Sequence, residues 1–137
     1  MTFKLEITTP SGVFYQGDCK ELHIYTAMGY VTILPRHMPI VSIVETAPMY
    51  YVDGEGSNKA HCSNSTGIMY VTRDIVKLLL MAIESRDDID VVRAKRALDR
   101  ARQHIDEAKV DKSIDIIRAE LALKRALVRI KVVEGDK

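Results

Sequence analysis

Apolar and polar side chains alternate at the start of the chain, with Phe3, Leu5 and Ile7 interleaved by Lys4, Glu6 and Thr8. A period of two belongs to a strand with one buried face. Pro10-Ser11-Gly12 then turns the chain, and Leu22, Ile24 and Thr26 alternate with Glu21, His23 and Tyr25. Further strand-like runs are Tyr30–Leu34, Ile40–Val44, Met49–Val52, Ile68–Thr72 and Val76–Ile83. The last also reads as a buried helical segment, because periodicity does not separate the two over so short a run. Asp53-Gly54-Glu55-Gly56 and Thr72-Arg73-Asp74 suit tight turns between such runs. Short strands at this spacing predict an antiparallel sandwich or barrel.

Beyond Ser85 the period changes. Ile89, Val92, Ala97, Ala101, Ile105 and Ala108 form a narrow helical stripe rich in small side chains, with Asp87 or Asp88 as the cap. Asp111-Lys112-Ser113 interrupts it, and Ser113 is placed to cap a second helix. There Ile114, Ile117, Leu121 and Val128 share one face, widened by Leu123, Leu127 and Ile130. So short a connection predicts an antiparallel hairpin. Its small-residue seam buries little area, so the hairpin is expected to lean on another surface.

Composition places the boundary at the same point. Residues 1–85 hold 6 basic and 8 acidic side chains, whereas residues 86–137 hold 14 and 11, so charge is concentrated in the second part. All eight aromatics and all four prolines lie in the first part, as sheets and turns require. The expected domains are therefore 1–85 and 86–137. A net charge of +1 gives no general pull toward nucleic acid. The longest apolar stretch, Leu78 to Ile83, is six residues, against roughly 20 for a membrane-spanning helix. With two cysteines and no signal-peptide pattern at the start, a soluble protein of a reducing compartment is expected.

Candidate chemistry is sparse. No Walker loop, nucleophile elbow or His-Glu-x-x-His is present. Cys19, His23, His61 and Cys62 are residue types that zinc accepts; on a regular strand Cys19 and His23 share a face, but the adjacent His61 and Cys62 do not. No metal site is expected from that set, and the small metal-dependent enzyme it would make is the least favoured class. His37, between Pro35 and Pro39, braces its own loop. The arginines are more informative: Arg93, Arg96 and Arg100 share a face of the first helix, and Arg118, Arg125 and Arg129 a face of the second. Brought together they form either a cationic strip suited to phosphate or a solvated, salt-bridged surface.

The order of these parts resembles the epsilon-subunit family of bacterial F-type ATP synthases, over essentially the whole chain. The resemblance is carried by Thr9-Pro10-Ser11-Gly12-Val13-Phe14-Tyr15, by the stretch from Gly29 through Leu34-Pro35-Arg36-His37-Met38-Pro39 to Ile40, by Ser65 to Val71, and by Arg118 to Ala126. Thr32, Arg36 and Thr66 stand where the family usually has glycine, so any positive φ there must be tolerated by a side chain. The resemblance implies an antiparallel β-sandwich of about ten strands followed by a two-helix hairpin. It implies a non-catalytic rotor subunit of a proton-translocating enzyme, peripheral on the cytoplasmic face of the membrane. Its implied partners are the gamma subunit and the c-ring, and the alpha and beta subunits when the hairpin extends to inhibit hydrolysis.

Ile89-Asp90-Val91-Val92-Arg93-Ala94 matches the Ile/Leu-Asp-x-x-Arg-Ala motif by which some members bind ATP as a regulatory ligand, with or without Mg²⁺. On that resemblance Glu84 and Ile89 border the adenine, Arg93, Arg125 and Arg129 meet phosphates, with Arg118 a weaker candidate, and Asp90 orients Arg93 or the first turn beside Ala94. The competing class is a free-standing adapter, a sandwich that presents its hairpin to another partner.

Overall fold

The computed structural model describes residues 1–63 and 65–135. Nine strands are found among them: β1 (Phe3–Thr9), β2 (Gly12–Thr26), β3 (Gly29–Ile33), β4 (Ile40–Val44), β5 (Ala47–Asp53), β6 (Asn58–Ser63), β7 (Gly67–Val71), β8 (Ile75–Leu80) and β9 (Ile83–Ser85). A single 3-10 turn, Arg86–Asp88, leads into α1 (Val91–Ala108) and α2 (Ile116–Glu134). The class is the expected one, a β-sandwich followed by two helices.

The long β2 belongs to both layers. Its first half pairs with β1, its second half with β3 and β5, and Thr26 reaches β4 at the far end. One layer runs β1-β8-β7-β4 and the other β5-β6-β9 with β3. A bulge around Lys20 resets β2 between these roles. Before it Cys19 is buried; after it the buried side chains are Leu22, Ile24 and Thr26. Without the extra residue, Glu21 would face the core.

The strand pattern departs from expectation in three places. The β1–β8 pair is parallel, whereas every other pair is antiparallel among the described residues. Parallel neighbours need a long crossover, and the whole of β2 to β7 supplies it. The apolar run Val76–Ile83 is a strand, not a helix, and it breaks at Met81-Ala82 to give β8 and β9. β6 was not legible, because Asn58-Lys59-Ala60-His61 offers no alternation of apolar and polar side chains.

The sandwich has its own core. Phe3, Leu5, Ile7, Leu22, Ile24, Ile33, Met69 and Leu78 are among its buried side chains, and no hairpin residue belongs to that cluster. A much smaller cluster, Val128 and Val132 with Ile89 against them, lies where α2 meets the sandwich.

Both helix caps fall later than the pattern predicts. Asp90, not Asp87 or Asp88, accepts from the Arg93 backbone N–H at 3.1 Å, because the two earlier aspartates are taken up in the 3-10 turn. Asp115, not Ser113, accepts from the Arg118 N–H at 3.1 Å. Ser113 instead donates to Asp111 through its backbone N–H and hydroxyl, closing the interhelical turn and holding the Asp111 carboxyl below its usual range.

Candidate functional site

Alanine makes the hairpin seam. Ala94, Ala101 and Ala108 recur every seven residues on α1 and face Ala119 and Ala126 on α2, all buried. Side chains this small let the helices approach closely. The expected stripe was therefore right in character but rotated in detail, since Val92 is exposed and Ala94 takes the buried place. On α2 the larger residues lie on a different face. The C-terminal end of that face, Val128 and Val132, is buried with Ile89 against it, while Ile117 and Leu121 are exposed.

Along one side of the seam runs a groove of about 610 Å³. Arg100 and His104 line it from α1, Arg118 and Arg125 from α2, above a floor of Ala97, Ala101, Ala119 and Ala122. Alanine leaves the floor open, so the long cationic side chains form the walls. Arg93 lies seven residues before Arg100, on the same side of α1. Of the two arginine stripes, Arg100, Arg118 and Arg125 come together at this groove, whereas Arg93, Arg96 and Arg129 are not among its lining residues. His104 is a wall residue that sequence reasoning missed; its only signal was its position four residues beyond Arg100.

The remaining motif residues lie at the junction of hairpin and sandwich. Asp90 caps α1, Ala94 is sealed in the seam, and Ile89 packs on Val128 and Val132. Glu84, the middle residue of β9, accepts from Arg129 Nε at 2.7 Å, and Arg129 Nη2 lies 2.7 Å from the same carboxylate oxygen. Arg86 Nη2 donates to the Val133 carbonyl at 3.1 Å, and Lys95 pairs with Glu134 at 2.8 Å. Arg125 is at the groove and Arg129 is held by Glu84, so the two α2 arginines expected to act together are differently engaged.

The zinc-type residues do not converge. The β2 bulge turns Cys19 inward, where burial pushes its thiol up to about 11, while His23 stacks outside between Tyr30 and Tyr50. His61 is buried against Tyr51 and Phe14, and the Cys62 side chain lies outside the described ones. Among the described residues no group of three or more His, Cys, Asp or Glu is placed to hold a metal. His37 turns back on its own loop, with Nδ1 2.7 Å from the Met38 carbonyl. Of the three positions where glycine was expected, only Arg36 has positive φ, at 65°.

A further surface was not anticipated. On the outer side of β4, β7 and β8, Val41 stands opposite Tyr70, Ile43 opposite Ile68, and Ile68 opposite Leu79. All five are exposed, between 48% and 63%. The signal was present in the sequence: these runs are apolar at nearly every position, and such strands need cover on both faces.

Fold and site define the class: a β-sandwich with a helical hairpin clasped to it by Glu84, Arg86 and Val128. The chain belongs to the ATP synthase delta/epsilon chain family, residues 2–86 matching its β-sandwich domain and residues 87–134 its long alpha-helix domain. Proteins named ATP synthase epsilon chain are similar over most of their length. That of Clostridium acetobutylicum is 41% identical over 74% of this chain and 76% of the relative. That of Ruminococcus albus is 38% identical over 75% and 76%. These relatives are a subunit of the complex and not a catalytic one. The fold also matches a chain of the Euglena gracilis mitochondrial ATP synthase, with a TM-score of 0.80 at 20% identity over 90% of this chain and 76% of that one. A chain in the central stalk and c-ring of the Tetrahymena thermophila enzyme matches with a TM-score of 0.58 at 10% identity over 98% and 95%. Among the described residues, no helix is long and apolar enough to cross a membrane.

Proposed function

We propose that this chain is a central-stalk subunit of a proton-translocating ATP synthase, peripheral on the cytoplasmic face of the membrane, whose hairpin senses ATP and restrains hydrolysis. The sandwich holds the gamma subunit through the apolar face of Val41, Ile43, Ile68, Tyr70 and Leu79, and rests on the c-ring. The hairpin, folded down here, extends toward the alpha and beta subunits to block rotation.

The observation that carries this reading is the imbalance between the two parts. The sandwich has a large separate core, while docking of α2 rests on Val128, Val132 and a few polar contacts. Two buried valines contribute about 3–5 kcal/mol together, part of which is lost to ordering. Two states separated by so little are what a ligand can switch.

ATP, with or without Mg²⁺, is the ligand this reading requires. Arg125 takes phosphate at the groove, where Arg100 and Arg118 add positive charge, and Arg93 reaches it from seven residues before Arg100 on α1. Ile89 and Glu84 border the base, and Asp90 fixes the turn that carries Arg93. If only the folded hairpin binds, each tenfold rise in ATP above its dissociation constant adds about 1.4 kcal/mol to that state. At low ATP the hairpin is released, and its arginines meet acidic surface on the catalytic subunits.

Calorimetric titration of ATP into the full chain, beside Arg93→Ala, tests the sensor. Binding by the parent that is lost in the variant supports it; no binding by either at millimolar ATP overturns it. Truncation after Ser85 in the assembled complex tests inhibition separately: an unchanged hydrolysis rate under all conditions removes that role.

A further inference from the structure

The joint between sandwich and hairpin is a strand of three residues. Among the described residues β9 pairs only with β6, His61 standing opposite Ser85, and the 3-10 turn and α1 follow it directly. Opposed residues of an antiparallel pair share a face and neighbours along a strand do not. His61 and Ser85 therefore face one way, and Glu84 faces the other, where it meets Arg129.

His61 is only 4% exposed. Its ring stacks on Tyr51 with centroids 5.0 Å apart and meets Phe14 edge-on at 5.3 Å. Neither ring nitrogen has a hydrogen-bond partner among the described residues. Leaving a neutral imidazole so unsatisfied is already costly, and a charged one in the same place costs more.

The charges around it do not make up that cost. Lys59, two residues earlier on β6, repels a proton on the ring, and Asp88 in the 3-10 turn attracts one. Phe14 on β2 and Ser85 on β9 carry no charge, and burial keeps the Tyr51 phenol on β5 neutral, pushed up to about 12. Arg86, Asp87 and Lys131 line the adjoining cleft of about 670 Å³, which His61 borders. Burial outweighs Asp88, so the docked imidazole stays neutral down to about 4. Of the elements that cover it, β2 and β5 are paired along their length, whereas β9 is held by three residue pairs and is the one to yield.

We propose that His61 is a proton-sensitive latch: a proton on its ring is accommodated by lifting β9 and the 3-10 turn off β6, which frees the hairpin while the sandwich stays folded. Above about pH 7 the ring is neutral in the docked and the lifted forms, and docking is complete. As pH falls from 6.5 toward 4 only the lifted form takes up the proton, so docking weakens through that window.

The test is hydrogen exchange on the full chain at pH 7.5 and pH 5, each amide rate divided by its intrinsic chemical rate at that pH, with the His61 ring titration followed by NMR. In the parent, protection of the β9 and α2 amides is expected to fall about thirtyfold between the two, with the β1 and β8 amides unchanged. His61→Phe, which keeps the ring stack, is expected to hold its protection, whereas Glu84→Gln, which removes the carboxylate on the other face of β9, is expected to keep the fall. Constant protection in the parent overturns the latch, and so does a fall shared by β1 and β8. A fall that persists in His61→Phe or vanishes in Glu84→Gln assigns the effect to another group and overturns it too. The ring titration decides independently of whether His61→Phe folds: a midpoint shared with the loss of protection supports the latch, and a ring that titrates with protection intact overturns it.

Discussion

Arg129 closes on Glu84 with two guanidinium nitrogens, Nε and Nη2, each 2.7 Å from one carboxylate oxygen, and thereby ties the last helix to the last strand across 45 residues. Both side chains are about one-third exposed, so the contact is partly shielded from water. It is a direct charged link between the hairpin and the sandwich, and it joins two residues that the family resemblance would assign to ATP. In this structure they hold each other.

Glu84→Gln keeps the shape and removes the charge. About 1 kcal/mol of docking free energy should be lost, because a charge-assisted bond becomes an ordinary one at a partly exposed site. Hydrogen exchange of the α2 amides around Val128 and Val132 should quicken about fivefold, with the sandwich amides unchanged. Unchanged exchange on α2 would mean that the valine contact alone sets docking.

The alanine seam gives a prediction of opposite character. Ala126 is 1% exposed between the helices, and Leu in its place has no room without forcing them apart. Ala126→Leu should destabilise the hairpin by about 1–3 kcal/mol, more than leucine's slightly lower helix propensity accounts for. Thermal loss of the helical circular-dichroism signal should move to lower temperature while tyrosine absorbance from the sandwich keeps its midpoint. A single shared transition at the parent temperature would contradict the close seam.

Buried, and with no hydrogen-bond partner on either ring nitrogen among the described residues, His61 makes stability depend on pH. Burial lowers its pKa to about 4, aided by Lys59 and opposed by Asp88. The unfolded chain takes up the proton near 6.5 and the folded chain does not, so stability is complete above about pH 7. It falls as pH drops through 6.5 and levels off, for this group, below about 4. The loss approaches 3 kcal/mol across that window. Urea denaturation at pH 7 and pH 4.5 should give a larger difference for the parent than for His61→Phe, which keeps the ring stack on Tyr51 and removes the titration. Equal differences would show that His61 does not govern acid sensitivity.

How far the structure was legible depended on whether a signal was local. Alternation in β1 and the change of period after Ser85 report on neighbours in sequence; β1 stands where the pattern put it, and helices follow the change of period, each from a later cap. The β2 bulge, which separates Cys19 from His23, is decided by pairing with β5 far along the chain, and no local pattern marks it. The caps failed for a similar reason: Asp87, Asp88, Asp90, Ser113 and Asp115 are all competent, and packing chooses among them. At the site, the arginine spacing was sufficient to bring Arg100, Arg118 and Arg125 to one groove. The engagement of Arg129 by Glu84 and the ring shelf on the outer sheet required the tertiary fold. Arg36 lies between these cases. Its φ of 65° is the conformation glycine would relieve, so Arg36→Gly should raise stability by about 0.5–1 kcal/mol, read from the denaturation midpoint.

The exposed face of β4, β7 and β8 distinguishes a docking surface from ordinary surface hydrophobics. Single exposed apolar residues are normal, but Val41, Ile43, Ile68, Tyr70 and Leu79 are contiguous in register across three neighbouring strands. Ile68 stands at the middle, opposite both Ile43 and Leu79. Ile68→Lys exposes a charge on an already solvated side, so folding stability should change by no more than about 0.5 kcal/mol. Against a partner the same lysine must be desolvated in an apolar contact, at a cost of about 2 kcal/mol or more, roughly a thirtyfold loss of affinity. Titration against purified gamma subunit measures that loss directly, and unchanged denaturation shows that the fold is intact. Full affinity in the variant would place gamma on another surface and leave this face for a different partner.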